Sequence, residues 1–279
     1  MLVPVPQRLL DLIDSPDDTA DLAEAALLIA RTQYPELDVV RELTRIDAMA
    51  ETVRQRLEAD STVEQRLAEL NEYLYGELGY GPETGEYYDP RNSYLNDVLE
   101  RKCGIPITLS VLYIRLGRTL GLEMEGISFP GHFLVKCHVE GGMVVIDAYH
   151  RGVSLSMEDL HERLQLSEGT SVKLDSVPEY LETADVREIV ARMLRNLKAI
   201  FLKAKDWSHA LTVIEWLVQV VPDTPQELRD RGLVYQELEC FRAALQDFEA
   251  YLRQEPEATD ASKIRTRVLD MRKAAARLN

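Results

Sequence analysis

The chain has 279 residues, of which 46% are hydrophobic and 29% are charged. This composition is typical of a globular protein with a full core, and the length predicts two domains. The 32 basic and 48 acidic residues leave a net charge of −16. The clustered Lys and Arg on which nucleic-acid binding depends are therefore missing, and we expect no nucleic-acid partner.

The cysteines and the first residues indicate the cellular compartment. Cys103, Cys137 and Cys240 are widely spaced and form no CxxC pair, so neither a disulfide framework nor a metal site is predicted. Residues 1–6 lack the basic and apolar regions of a signal peptide. No apolar run approaches the ~20 residues of a membrane span. We therefore expect a cytoplasmic protein that contacts no membrane and holds no cofactor or metal.

Residues 1–88 are predicted to form a helical N-terminal region that packs on the core. Apolar residues recur at helical spacing within 18–32, 38–53 and 63–78, which predicts amphipathic helices there. The glycines and proline of 76–85 then indicate a turn-rich loop.

Residues 89–178 alternate between helix and strand. Helices are predicted at 92–102 and 106–120, and the second begins with Pro106, whose missing N–H costs nothing at the first helical position. Gly121 ends that helix.

Strands are predicted at 124–129, 132–139 and 143–148. The last two are joined by Gly141-Gly142, as expected for a hairpin. A short helix begins after Ser156, whose hydroxyl can cap it.

Residues 179–279 are predicted to be all-helical and contain an internal repeat. Residues that recur after 34 positions are Leu194, Phe201, Ala210 and Pro222, matched by Leu228, Tyr235, Ala244 and Pro256. The second copy adds Gly232 and Phe248 at the positions that a tetratricopeptide repeat requires. Such repeats bind a protein or peptide partner on a concave face, which we expect here. A helical buttress for the central domain is the alternative, and the oligomeric state stays open.

Three central residues suggest a thiol–imidazole–carboxylate relay. Cys103 precedes the apolar helix, His132 begins a predicted strand, and Asp147 lies in the next strand. A thiolate nucleophile needs an adjacent base, and the base needs a carboxylate that orients it. These are the candidate catalytic residues. The alternatives are a packing cysteine and a strand histidine satisfied by a neighbour. His138 and His150 could bind a metal with His132, but their spacing indicates no site.

Hairpin geometry tests whether His132 reaches Asp147. If Gly141-Gly142 forms a two-residue turn, Lys136 pairs with Asp147, and His132 lies roughly 13 Å away at ~3.3 Å per residue. A hydrogen bond needs about 2.7–3.2 Å. The relay therefore predicts a wider loop than the two glycines suggest.

Several motifs resemble the SirB-type family of bacterial proteins, described as regulators of virulence-gene expression. The resembling segments are Asn92–Asn96, Arg101-Lys102, Gly104–Leu109, Pro130–Phe133, Asp147 and Arg229–Leu233. The resemblance covers nearly the whole chain. It implies an α+β fold in which a papain-like transglutaminase core, with helices on a small antiparallel sheet, precedes tetratricopeptide repeats. It implies no established reaction.

The cysteine departs from the pattern of the wider transglutaminase-like superfamily, in which it stands in the first turn of the helix. There the backbone N–H groups and the positive helix end lower the thiol pKa. Counted back from Leu120-Gly121, that position falls at or beside Pro106, and Cys103 lies about three residues earlier. Gly104 permits a sharp turn by which Cys103 could still approach the helix end.

Two functions of different classes follow. The first is a non-catalytic or weakly catalytic regulator, whose degenerate transglutaminase-like domain and helical repeats bind a partner. The second is a thiol enzyme, either a peptidase, an amidase or an acyl transferase. In it Cys103 attacks a carbonyl, His132 transfers the proton, Asp147 holds the imidazole, and backbone N–H groups of 104–107 bind the oxyanion. The displaced cysteine favours the regulator.

Overall fold

The structure is a computed structural model that describes residues 4–16, 20–83, 85–168 and 172–277. The α-helices are α1 (Gln7–Ile13), α2 (Leu22–Ala30), α3 (Val39–Arg54), α4 (Val63–Asn71), α5 (Leu95–Arg101), α6 (Pro106–Thr119), α7 (Met157–Glu168), α8 (Val186–Ala204), α9 (Trp207–Val220), α10 (Pro225–Glu237), α11 (Phe241–Gln254) and α12 (Ala261–Arg277). The strands are β1 (Gly81–Pro82), β2 (Cys103–Gly104), β3 (Met124–Ile127), β4 (Leu134–Val139), β5 (Gly142–Asp147) and β6 (Val153–Leu155). The predicted class, helices with a small antiparallel sheet and a helical C-terminal region, is confirmed.

The chain divides into two compact units. One runs from Asp11 to Met193, and the other contains the described residues before Asp11 and those from Leu194 onward. The boundaries of the units therefore fall within α1 and α8. The finer division at 88/89 and 178/179 stays a prediction. None of the described helices has the length and apolar character needed to cross a bilayer.

Side-chain caps explain where the N-terminal helices begin. The Asp21 carboxylate accepts the backbone N–H of Ala23 at the start of α2, at 3.0 Å. Thr62 and Gln65 form a reciprocal capping box at the start of α4. The predicted helix at 63–78 is divided, because α4 ends at Asn71 and a π-helical segment continues over Glu72–Glu77.

Helix α6 is the centre of the unit that runs from Asp11 to Met193. Every residue of Pro106–Ile114 is buried, which is the pattern of a helix that is covered on all sides. Helices α2, α3 and α5 contact it, and so do strands β3 and β4. As predicted, Pro106 is the first residue of the helix.

The main sheet is antiparallel and has the order β3-β4-β5-β6. The sequence did not predict β6, nor the short parallel pair of β1 and β2. Helix α7 and a 3₁₀ segment at Leu174–Leu181 pack against one part of the sheet. Their shared apolar cluster contains Ile127, Phe129, Leu134, Val145, Leu160, Leu164, Val177 and Leu181. The capping of α7 by Ser156 is confirmed, since the hydroxyl accepts the backbone N–H of Asp159 at 3.1 Å.

The β4–β5 hairpin is tight, but its register differs from the predicted one. Val139 pairs with Gly142, so the two-residue loop is Glu140-Gly141, and Lys136 pairs with Val145 rather than with Asp147. Gly141 has φ +83°, a conformation that glycine adopts without strain, and the turn is therefore centred one residue earlier. The expected pairing of Lys136 with Asp147 is wrong, and the Lys136 ammonium instead lies 3.0 Å from Glu125 Oε2.

The C-terminal helices pack in sequence, α9 on α10, α10 on α11 and α11 on α12. Gly232 in α10 is required for a close approach, since a Cβ there would lie 2.6 Å from the ring of Phe248 in α11. The core of α11 and α12 consists of Ala244, Phe248, Tyr251, Ile264, Val268 and Met271. The predicted small residues at 232 and 244 therefore have the packing role that the repeat assigns to them.

Candidate active site

His132 and Asp147 form a hydrogen bond, in which the ring Nε2 lies 2.9 Å from the carboxylate Oδ1. Strand β4 begins at Leu134, so the predicted strand start at His132 is wrong. His132 lies in the turn after β3, where its backbone N–H donates to the Phe129 carbonyl and Gly131 has φ +69°. This turn brings the imidazole to Asp147. The expectation that their contact requires a wide hairpin loop is therefore wrong, because it assumed extended backbone at His132.

Asp147 is fully buried and accepts hydrogen bonds on both carboxylate oxygens. Oδ1 accepts from His132 and from the backbone N–H groups of Tyr149 and His150, each at 3.1 Å. Oδ2 lies 2.7 Å from His150 Nδ1 and 2.6 Å from an Arg163 guanidinium nitrogen. Burial alone would raise the pKa of Asp147, but the donors from His132, His150 and Arg163 outweigh it and hold that pKa well below its usual value. Asp147 is therefore a carboxylate at neutral pH.

The second ring nitrogen of His132 is accessible for chemistry. Among the described residues Nδ1 of His132 has no hydrogen-bond partner, and the side chain is 14% exposed. The ring packs edge-on against Tyr149 and roughly parallel to His150, with centroids 5.8 Å away in both cases. Arg192 donates to the backbone carbonyl of His132 and so fixes the turn. An imidazole that donates from Nε2 to a carboxylate can accept a proton at Nδ1.

Cys103 lies in a different hydrogen-bonding environment. Its half-buried thiol donates to Glu83 Oε2, with the sulfur and oxygen 3.2 Å apart, and Arg101 binds the same oxygen at 3.1 Å. Burial raises the pKa of the Cys103 thiol, and the hydrogen bond to the Glu83 carboxylate raises it further. Within the described part of the chain, Cys103 makes no hydrogen bond to His132 or Asp147.

The first turn of α6 has no thiol, and two positions at the entrance of the helix offer no free N–H group. Pro106 stands at the first helical position and has no N–H. The N–H of Ile105 already lies 3.3 Å from the Asn92 carbonyl oxygen and 3.1 Å from Thr108 Oγ1. Two of the four residues proposed to bind an oxyanion, 104–107, therefore offer no free donor.

Asn92 organises the segment next to Cys103. It is fully buried, and its amide Nδ2 donates to the carbonyls of Glu86 at 2.8 Å and Tyr87 at 3.3 Å. Its Oδ1 accepts from Arg101 at 2.7 Å. Because Arg101 also binds Glu83, this network fixes the carboxylate that accepts the Cys103 thiol.

Glu83 and Arg163 were not predicted as members of the site, and His150 was considered only as a metal ligand with His132 and His138, for which its spacing gave no support. His150 carries a weak signal, since it follows Asp147 by three residues and is thus within reach of a carboxylate at the end of a strand. Arg163 carries no such signal, because its contact depends on how α7 packs against the sheet. His138 does not join His132, because its Nε2 lies 3.2 Å from Glu125 Oε2.

Comparison with known proteins agrees with the fold. The model of the transglutaminase-like superfamily matches residues 41–195, and a tetratricopeptide repeat model matches residues 197–268. A UPF0162 protein of Xylella fastidiosa (strain Temecula1) is 39% identical over 256 residues, which are 91% of each chain. The chain belongs to the UPF0162 family of transglutaminase-like proteins.

Other relatives in this family include a second UPF0162 protein and a protein named SirB1. The UPF0162 protein of Vibrio cholerae is 29% identical, over 93% of this chain and 96% of the relative. SirB1 of Salmonella typhimurium is 29% identical, over 92% of this chain and 95% of the relative. The predicted membership of a SirB-type family with a transglutaminase-like domain followed by repeats is thus confirmed.

Proposed function

We propose that this protein is a regulator that acts by binding a protein partner, and that its transglutaminase-like domain is non-catalytic or weakly catalytic. The observation that carries the proposal is the position of the Cys103 thiol, which donates to the Glu83 carboxylate. A nucleophilic cysteine needs a lowered pKa and an adjacent base. Here burial and the Glu83 carboxylate favour the neutral thiol.

The helix terminus supports the same proposal. In the superfamily the first turn of this helix supplies the nucleophile and a positive helix end, but here that turn is buried and begins with Pro106. The Ile105 N–H group is already bonded within the protein. Pro106 and Ile105 therefore offer no free N–H group that could stabilise the negative charge of a reaction intermediate.

The repeats supply the surface for the partner. Tetratricopeptide repeats bind protein and peptide segments, and a repeat model matches residues 197–268. The resemblance to SirB-type regulators points to the same role, and we propose a cytoplasmic setting for it. A net charge of −16 favours partners that are not strongly acidic.

Affinity co-purification with the full chain from bacterial cells tests the proposal. We expect a partner that is retained by Cys103→Ala and lost with Gly232→Val, because a branched side chain at 232 would displace the Phe248 ring and loosen the repeats. Gly142→Ala is the matched glycine control, since a Cβ there meets nothing within 4 Å. Loss of the partner in Cys103→Ala, or its full retention in Gly232→Val, would contradict the proposal.

A thiol enzyme is the second candidate, and the His132–Asp147 hydrogen bond favours it. A movement of Glu83 away from Cys103 would be required before His132 Nδ1 could accept the thiol proton. The test is activity on activated amides or esters. If the wild type has this activity and both Cys103→Ala and His132→Ala lose it, the protein is a thiol enzyme and a non-catalytic role is refuted.

A further inference from the structure

Three side chains with metal-binding atoms converge at the end of β5. One ligand atom each from His132, Asp147 and His150 lies within 4.8 Å of the others. The Nε2 atom of His132 is 2.9 Å from one carboxylate oxygen of Asp147, and the Nδ1 atom of His150 is 2.7 Å from the other oxygen. Two imidazoles and one carboxylate are the donor set that Zn²⁺ and related divalent transition metals bind with open coordination positions.

We propose that His132, Asp147 and His150 form a binding site for a divalent transition-metal ion such as Zn²⁺. The ion would replace the two protons that the rings direct at the carboxylate, and the rings would move apart from it, because metal bonds of about 2.0–2.2 Å to each atom need more room than N···O contacts of 2.9 and 2.7 Å. Each neutral ring would then carry its single proton on the other nitrogen, Nδ1 in His132 and Nε2 in His150, so that binding requires a change of tautomer and no net loss of protons. The inference does not rest on the proposed regulatory function.

The burial of the three residues suits an ion that enters from solvent. Asp147 is fully buried, His132 is 14% exposed and His150 is 53% exposed in its side chain. The ion can therefore reach the carboxylate past His150 and keep water ligands on the exposed side. The N–H groups of Tyr149 and His150 hold the carboxylate in place before an ion arrives, which is the orienting role of outer hydrogen bonds in metal sites.

Arg163 opposes cation binding and gives the proposal a distinctive test. Its guanidinium lies 2.6 Å from Asp147 Oδ2, on the carboxylate that would bind the ion. A positive charge at this distance weakens the attraction of Asp147 for a second cation. Removal of this charge should therefore strengthen metal binding, whereas removal of either histidine should weaken it.

Calorimetric titration of the full chain, without a histidine tag, with Zn²⁺ at neutral pH tests the inference. We expect binding of one ion, with affinity lower by about tenfold or more in His150→Ala and His132→Ala and higher in Arg163→Gln. His150→Ala is the main variant because its side chain is exposed and its loss leaves the core intact. His132→Ala is read only after circular dichroism shows the native spectrum.

Two variants control for binding elsewhere. His138→Ala removes an exposed histidine that pairs with Glu125, and Cys103→Ala removes a half-buried thiol that could bind the ion elsewhere. Both should bind Zn²⁺ as the wild type does. Absence of binding, binding that persists unchanged in His150→Ala, or binding that is lost in Cys103→Ala or His138→Ala would overturn the inference. An affinity that falls in Arg163→Gln would overturn it as well, because the charge argument requires the opposite sign.

Discussion

Asn92 and Cys103 belong to one hydrogen-bonded network through Arg101 and Glu83. The Asn92 amide binds the loop carbonyls of Glu86 and Tyr87, and its oxygen accepts from Arg101. Arg101 in turn binds the carboxylate that accepts the thiol. Asn92 is fully buried and joins the two loop carbonyls to Arg101, so its loss removes three hydrogen bonds at once.

Asn92→Ala should therefore destabilise the protein by about 2–3 kcal/mol. The reason is that the variant leaves an Arg101 N–H and two loop carbonyls without their partner. Asn96→Ala is the matched control, because Asn96 Oδ1 is buried and has no hydrogen-bond partner among the residues that the structure describes. Free energies of unfolding from urea titrations measure both. Equal stability losses in the two variants would contradict a structural role for Asn92.

Asp147 shows how residue type and strand register can give different expectations. A carboxylate in a strand after a histidine suits a relay with His132, whereas the register expected from the two glycines paired Asp147 with Lys136. The fully buried carboxylate also binds His150 and Arg163. The contact with His150 is signalled only weakly, by its position three residues after Asp147, and the contact with Arg163 depends on the packing of α7, which no spacing within the sequence encodes.

At the scale of elements, the hairpin illustrates why register is harder to predict than strand existence. Alternating apolar residues and the glycines located β4 and β5, but two adjacent glycines left two possible turn centres. The choice of Glu140-Gly141 moves the turn centre by one residue and the partner of every β4 residue by two, so that Lys136 pairs with Val145 instead of Asp147. The π-helical segment at Glu72–Glu77 and the short strands β1 and β2 likewise leave no periodic signal, because tertiary contacts determine them.

The repeat helices allow a sharper prediction, since their spacing identified Gly232 as a packing position. Gly232→Ala should destabilise the protein by about 1–3 kcal/mol, because the new Cβ would lie 2.6 Å from the Phe248 ring. Gly142→Ala should change stability by less than about 1 kcal/mol, since nothing lies within 4 Å of its Cβ position. Thermal unfolding of both variants measures the difference. A Gly232→Ala variant as stable as the wild type would contradict this prediction, because α10 and α11 could then move apart without a loss of stability.

For the whole molecule, periodicity predicted the order of the helical and strand-containing regions, and the resemblance to the SirB-type family implied the fold class. The apolar helix that begins at Pro106, the small antiparallel sheet and the helical repeats are all present. The state of the thiol could not be predicted, because Glu83 and Cys103 meet only through the parallel pairing of β1 and β2. The sequence shows that a thiol, an imidazole and a carboxylate are present. Tertiary contacts determine whether these three groups form a relay.

Cys103 is the residue on which the proposed regulatory function depends, because that function requires that its thiol is not activated. The most direct test is the pH dependence of its alkylation by iodoacetamide in the folded chain, with Cys137→Ser and Cys240→Ser to remove the other thiols. Only the thiolate reacts, so a raised pKa moves the rise in rate to higher pH. Glu83→Gln is the control that reports on the environment of the thiol, since loss of the carboxylate should shift this rise to lower pH.

We predict an apparent pKa at or above the ordinary thiol value of about 8.5 that is unchanged in His132→Ala. An apparent pKa several units lower that returns to the ordinary value in His132→Ala would show a thiolate–imidazolium pair. That result would contradict the proposal of a non-catalytic regulator and would favour a thiol enzyme.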